Sequence, residues 1–122
     1  MNVEEVITIL DEAITPERMY DGYIATLFGW RRHVAIIDSG AGKPPGKKVT
    51  WLNPDEKPAV VPEYTTSLET ALELANQLVS VESWAACWVN GKGRAQVNDG
   101  PVCVSVTPAA ALCLAGLKAS LE

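Results

Sequence analysis

The side chains in this sequence whose types and spacing suggest chemistry are tryptophans set among cations, and the chemistry they suggest is binding. Four tryptophans, Trp30, Trp51, Trp84 and Trp88, occur in 122 residues. Arg31 and Arg32 follow Trp30, Lys47 and Lys48 precede Trp51, and Arg94 lies shortly after Trp88. Trp84 and Trp88 share a face if their segment is a strand, because their separation is even. An aromatic ring stacks a base or another ring while a guanidinium or ammonium holds phosphate. The ligand-binding set read on this basis is Trp30, Arg31, Arg32, Lys47, Lys48, Trp51, Trp88 and Arg94. The alternative for the tryptophans is large apolar area in the core and at its edge.

Catalytic arrangements are not in evidence. The stretch Ser39-Gly-Ala-Gly-Lys-Pro-Pro-Gly-Lys-Lys48 does not meet the phosphate-loop pattern: Gly40 and Gly46 are separated by five residues instead of four, and Lys48 follows Lys47 where Ser or Thr is needed. His33 is the only histidine and has no cysteine or acid at metal-ligand spacing. Cys87, Cys103 and Cys113 form no Cys-x-x-Cys pair and sit in apolar contexts, so they read as buried thiols. A nucleophilic thiol needs an exposed, electropositive setting, which an apolar element does not supply. Asp38, Asp55 and Glu56 lie in expected loops, with no acid pair at a spacing that fixes a catalytic geometry. The sequence therefore reads as a non-enzyme with no cofactor and no metal.

The bulk properties suit a single domain, 1–122, with no apolar run near the roughly 20 residues a membrane helix requires. The opening Met1-Asn-Val-Glu-Glu5 is acidic, unlike a signal peptide, so a cytoplasmic protein without membrane association is expected. The net charge of −5 argues against general nucleic-acid binding. Eight of the ten basic residues fall in stretches that read as loops: Arg31, Arg32, Lys43, Lys47, Lys48, Lys57, Lys92 and Arg94. Glu4, Glu5, Asp11, Glu12, Glu17, Asp21, Glu69 and Glu73 fall in expected helices. Either these are ordinary solvated faces, or the loops converge as a positive rim on an acidic body.

The elements that must position these residues follow from periodicity. Asn2 with Glu5 resembles a capping box, and Val3, Val6, Ile7, Leu10 and Ile14 recur at helical spacing, predicting a helix over 3–13. Thr15-Pro16-Glu17 supplies a cap, a first-position proline and an early acid for a second helix over 16–27, which Gly29 ends. Short strands are expected at 34–37 and 49–52, separated by the basic, flexible loop Ser39–Lys48. Pro58 and Pro62 keep the next segment extended and off central strands. Thr66 and Glu69 form a capping box for a helix over 67–79. Strands Trp84–Val89, Arg94–Val97 and Val102–Val106, joined by turns Asn90–Gly93 and Asn98–Pro101, predict an antiparallel meander over 84–106. Val102, Val104 and Val106 should face the core, with Cys103 and Ser105 turned away.

Thr107 then caps, and Pro108 opens, a closing helix over 108–120 that is small and apolar nearly all round. A helix without a polar face is buried, here on its own sheet and, with its other side, on a second copy of the chain. Ala111, Ala115, Gly116 and Ala119 permit close backbone approach. The fold class is α+β: a small antiparallel sheet, meander plus the two short strands, covered by four helices.

Several of these stretches resemble small phage and prophage proteins with an αβα-sandwich domain. Leu10-Asp-Glu-Ala13, Pro16-Glu-Arg18, Ile24-Ala25 and Leu27-Phe-Gly-Trp30 are similar to their opening. Pro62-Glu-Tyr-Thr-Thr-Ser-Leu-Glu-Thr-Ala-Leu72 resembles their central helix start, and Thr107-Pro-Ala-Ala-Ala-Leu-Cys-Leu-Ala-Gly-Leu117 their closing helix. The segment Gly40–Lys48 has no counterpart in that pattern. The resemblance implies two helix layers flanking a sheet, a phage accessory protein in the host cytoplasm, and no catalytic motif to carry over. Three functions are expected from these readings. The first is binding a small anionic, nucleotide-like ligand, such as a signal of host defence. The second is inhibition of a host protein through an acidic surface, and the third a role as a virion or assembly component.

Overall fold

The protein is described by a computed structural model covering residues 1–38, 40 and 42–122. Its helices are α1 (Val3–Glu12), α2 (Met19–Thr26), α3 (Leu68–Leu78) and α4 (Pro108–Ala119), and its strands are β1 (Arg31–Ile37), β2 (Gly46–Leu52), β3 (Trp84–Val89), β4 (Lys92–Val97) and β5 (Cys103–Ser105). The α+β class is the one observed. The strands form two antiparallel sheets, β1-β2 and β3-β4-β5. The short strands therefore pair with each other as a separate ribbon and do not join the meander.

Helix α4 is the core of the body. Thr107, extended at φ −140°, accepts from Ala110 N–H at 2.9 Å, and Pro108 opens the helix without leaving a donor unpaired. Pro108 through Leu117 are all buried. One side of α4 rests on β4 and β5, and the other is taken by α1 and α3 of the same chain, so its burial needs no second copy. Two glycines make this stacking possible. A Cβ on Gly116 would stand 3.2 Å from both Cα and Cβ of Ala75 in α3. A Cβ on Gly93 in β4 would fall 2.0 Å from the Thr107 carbonyl carbon, where the chain turns into α4.

The valine face of the last strand is the reverse of the expected one. Cys103 and Ser105 are buried, while Val102 and Val104 are exposed. Cys103 lies opposite Ala95 and Ser105 opposite Gly93, the residues of β4 that face α4. Ser105 Oγ donates to the Leu10 carbonyl at 2.8 Å, so the buried hydroxyl satisfies an acceptor in the last turn of α1. The chain bends at Val106 and Thr107, which returns Val106 to the core out of alternation.

The other boundaries shift for local reasons. Helix α1 follows its Asn2 cap, whose side chain accepts from Glu5 N–H at 2.8 Å. Helix α2 begins at Met19 and not at Pro16; its N-cap is Arg18, which makes no capping bond because a guanidinium has no acceptor to offer the free N–H groups. Helix α3 is capped by Ser67 accepting from Thr70 N–H at 3.2 Å, not by the Thr66–Glu69 box, because Thr66 and Ser67 both donate backwards to the Glu63 carbonyl in a preceding turn. Asn90 and Gly91, at φ 52° and 76°, make a two-residue hairpin turn, so β4 starts at Lys92. Six of the eight cations expected in loops lie in strands, leaving Lys43 and Lys57 outside them. Ser39 and Ala41 of the expected loop lie outside the described residues.

A buried carboxylate ties α2 to this core. Asp21, 1 % exposed, accepts from Thr65 N–H at 2.7 Å and Thr65 Oγ1 at 2.8 Å on one oxygen and from Arg18 Nη1 at 2.6 Å on the other. Arg18 also donates to the carbonyls of Val61 and Pro62. Thr107 Oγ1 donates to the Thr65 carbonyl, linking the cluster to the first turn of α4. Charged hydrogen bonds are worth about 1.5–3 kcal/mol each, and a buried acceptor stripped of partners costs as much.

Two sets of variants check this packing by thermal or denaturant unfolding. Gly116→Leu should lose about 1–3 kcal/mol, as overpacked cores do, and Gly93→Ala more, because its neighbour is backbone that cannot turn aside. Asp21→Asn should lose about 2–3 kcal/mol by exchanging a charged acceptor for a neutral amide.

Candidate functional site

The ribbon β1–β2 stands out from the body, and its register decides which side chains act together. Pairing runs from Arg31↔Leu52 to Ile37↔Gly46, and residues directly opposite share a face. Arg32 with Trp51, Val34 with Val49 and Ile36 with Lys47 form one face. Arg31, His33, Ala35 and Lys48 lie on the other. After β2, the Asn53 side chain accepts from Asp55 and Lys57 N–H at 3.0 Å, folding the chain back so that Ala59 N–H donates to the Trp51 carbonyl at 3.0 Å. Pro58 forms a single bridge with Leu52 at the ribbon edge, the extended, peripheral place expected of it.

The first ribbon face, α2 and segment 58–61 enclose an open groove of about 1070 Å³. Met19, Gly22, Tyr23 and Thr26 line it from α2, Arg32, Val49 and Trp51 from the ribbon, and Val60 and Val61 from the returning segment. Gly22 is required there: a Cβ would stand 2.7 Å from Trp51 Cζ2, so the absent side chain lets the indole lie on the helix. Arg18 forms part of the floor with its charge balanced by Asp21. Arg32 has no hydrogen-bond or ion-pair partner among the described residues. Among the described residues, no carboxylate lines the groove. Its chemistry is thus an apolar, aromatic trough with one free guanidinium.

The eight residues singled out from sequence separate into several places. Arg32 and Trp51 share the groove, with Lys47 farther out on the same ribbon face. Arg31 pairs with Glu56 at 2.6 Å, an exposed ion pair of little weight, and Lys48 points away from the groove. Trp30 is half-buried against the core. Trp88 belongs to the other sheet, in a recess of about 370 Å³ beside Leu68 and Pro108. Arg94 lies on the exposed face of that sheet, opposite Cys87 and Val104. Sequence reasoning missed Arg18, Met19 and Tyr23. Their signal was the helical spacing of Met19, Gly22, Tyr23 and Thr26, a second face of α2 centred on a glycine.

The thiols divide by burial. Cys87 is exposed, contrary to the buried state expected of it, because helices cover only the opposite face of β3. Cys113 is wholly buried, donates to the Tyr64 carbonyl at 3.2 Å, and has its pKa pushed well up by loss of solvent. Burial likewise raises the pKa of Cys103 and Tyr64. Among the described residues, no cluster of three or more His, Cys, Asp or Glu side chains could hold a metal ion. No described helix is long and apolar enough to cross a membrane.

No family model, curated protein or solved structure matches this chain.

Thiol titration should find one reactive cysteine, Cys87, in the native protein and three after denaturation. Cys103, Cys113 and Tyr64 have raised folded values, so the unfolded chain ionises first. Stability should be complete below the ordinary thiol value of 9.0 and fall as pH rises past it and past the phenol value of 10.0. An alkaline series of unfolding curves checks the sign.

Proposed function

We propose that the protein is a non-catalytic binding module and that the groove between α2 and the ribbon takes an anionic ligand with a flat, apolar ring, such as a nucleotide. One observation carries this reading: the free guanidinium of Arg32 lines the same groove as Trp51 and Tyr23, with no carboxylate on the lining among the described residues. The ring would stack in the trough, and Arg32 would supply a charge-assisted, two-pronged contact to phosphate. Hydrolysis or transfer would need a base to activate a nucleophile, and the hydroxyls of Tyr23, Thr26 and Thr50 have no His, Asp or Glu beside them on the lining. In the phage setting suggested by the sequence motifs, such a protein would sequester a nucleotide signal of the host.

A second reading, capture of a host protein, draws on the acidic body: outside residues 31–52 fourteen acids face five cations. A basic partner would suit that surface.

Calorimetry with mononucleotides and cyclic nucleotides tests the first reading. Binding at micromolar concentration is expected, with Arg32→Ala weakening it about tenfold or more, as loss of a charged hydrogen bond implies. Absence of heat from every nucleotide, or full affinity in Arg32→Ala, would contradict it.

A further inference from the structure

The charges of the chain are sharply segregated. Residues 31–52 carry five of the ten cations, Arg31, Arg32, Lys43, Lys47 and Lys48, against one acid, Asp38. Arg31 is paired with Glu56, and the other four cations have no ion-pair partner among the described residues. The remainder of the chain is strongly acidic, so a polyanion is attracted to the ribbon and repelled elsewhere.

The ribbon face that walls the groove runs on beyond it. Trp51 and Arg32 stand opposite each other at the base of the ribbon, and on the same face Lys47 stands opposite Ile36, four strand positions farther out. At the rise of an antiparallel strand this places Lys47 about 13 Å beyond Arg32. Lys43 lies in the connection between the two strands, at the far end of the ribbon from Arg32. The groove is also roomy for one nucleotide, at about 1070 Å³ against roughly 300–1,000 Å³ for the pockets of whole drug-sized ligands. Nucleic-acid sites without sequence preference combine these two parts, rings for bases and a cationic line for the backbone.

From this arrangement we infer that the groove and the ribbon face beyond it form one track for single-stranded nucleic acid, with a base on Trp51 and separate phosphates along the strand on Arg32, Lys47 and Lys43. The inference rests on the groove being the ligand site and extends it from a mononucleotide to a strand. A duplex does not fit, because its bases are paired and cannot turn into the trough. The net charge of −5 argues against indiscriminate binding, but it averages over two regions of opposite sign.

The test compares a labelled 12-mer of oligothymidylate, the same 12-mer annealed to its complement, and thymidine monophosphate. The strand should bind at least tenfold tighter than the mononucleotide and the duplex. Its affinity should fall with salt at a log–log slope of about −2, as three contacts on a single strand imply. Lys43→Glu with Lys47→Glu should flatten that slope by more than one unit, with an unchanged melting temperature showing that the body is intact. If the mononucleotide binds and the strand binds no tighter, the track is refuted and the groove reading survives. If duplex and strand bind equally, the single-stranded assignment is overturned. If no probe binds, both the track and the groove reading fall.

Discussion

The Asp21 carboxylate, buried in an otherwise apolar interior, is the constraint on which the rest of the structure depends. A charge in that position must be fully met, and it is met from two directions: Thr65 supplies a backbone and a hydroxyl donor, and Arg18 a guanidinium. The same Arg18 holds the carbonyls of Val61 and Pro62, and Thr65 hands its own carbonyl to Thr107 at the start of α4. One anion thus fixes α2, the turn before α3 and the N-terminus of α4 relative to one another. The floor and one wall of the groove are built from those pieces, so ligand geometry and core integrity share a cause.

Around that anchor the body is assembled by close approach. Helix α4 has no polar face, and Gly93 and Gly116 let backbone pass where a side chain would collide. The ribbon is treated differently. It is tied down mainly at its base, by Trp51 over Gly22 and by the returning segment at Pro58 and Ala59. Its outer half keeps Ile36, 76 % exposed, beside free lysines. A packed body and a projecting, oppositely charged ribbon leave their junction as the natural place for recognition.

Much of the fold was legible because caps and periods are local. Asn2, Thr107 and Pro108 do what their types predict, and the three-strand meander follows from its turn residues. Long-range bonds caused the misses. Arg18 looked like part of a helix start, yet beyond the nearby Asp21 its partners lie more than forty positions away at Val61 and Pro62. Ser105 looked solvent-facing because nothing in its neighbourhood announces the Leu10 carbonyl that receives it. The site was half legible for the same reason. Arg32 and Trp51 could be named by type, but their pairing depends on a register running through Lys47 and Lys48, residues that read as loop. Trp88 and Arg94 share the residue types without sharing the place.

The central claim is that the ligand lies in the α2–ribbon groove, and the four indole N–H resonances report on it most directly. During titration with a nucleotide, the Trp51 indole signal should shift progressively while those of Trp84 and Trp88 stay fixed. A shift at Trp88 with Trp51 unmoved would place the ligand on the other sheet and contradict the account.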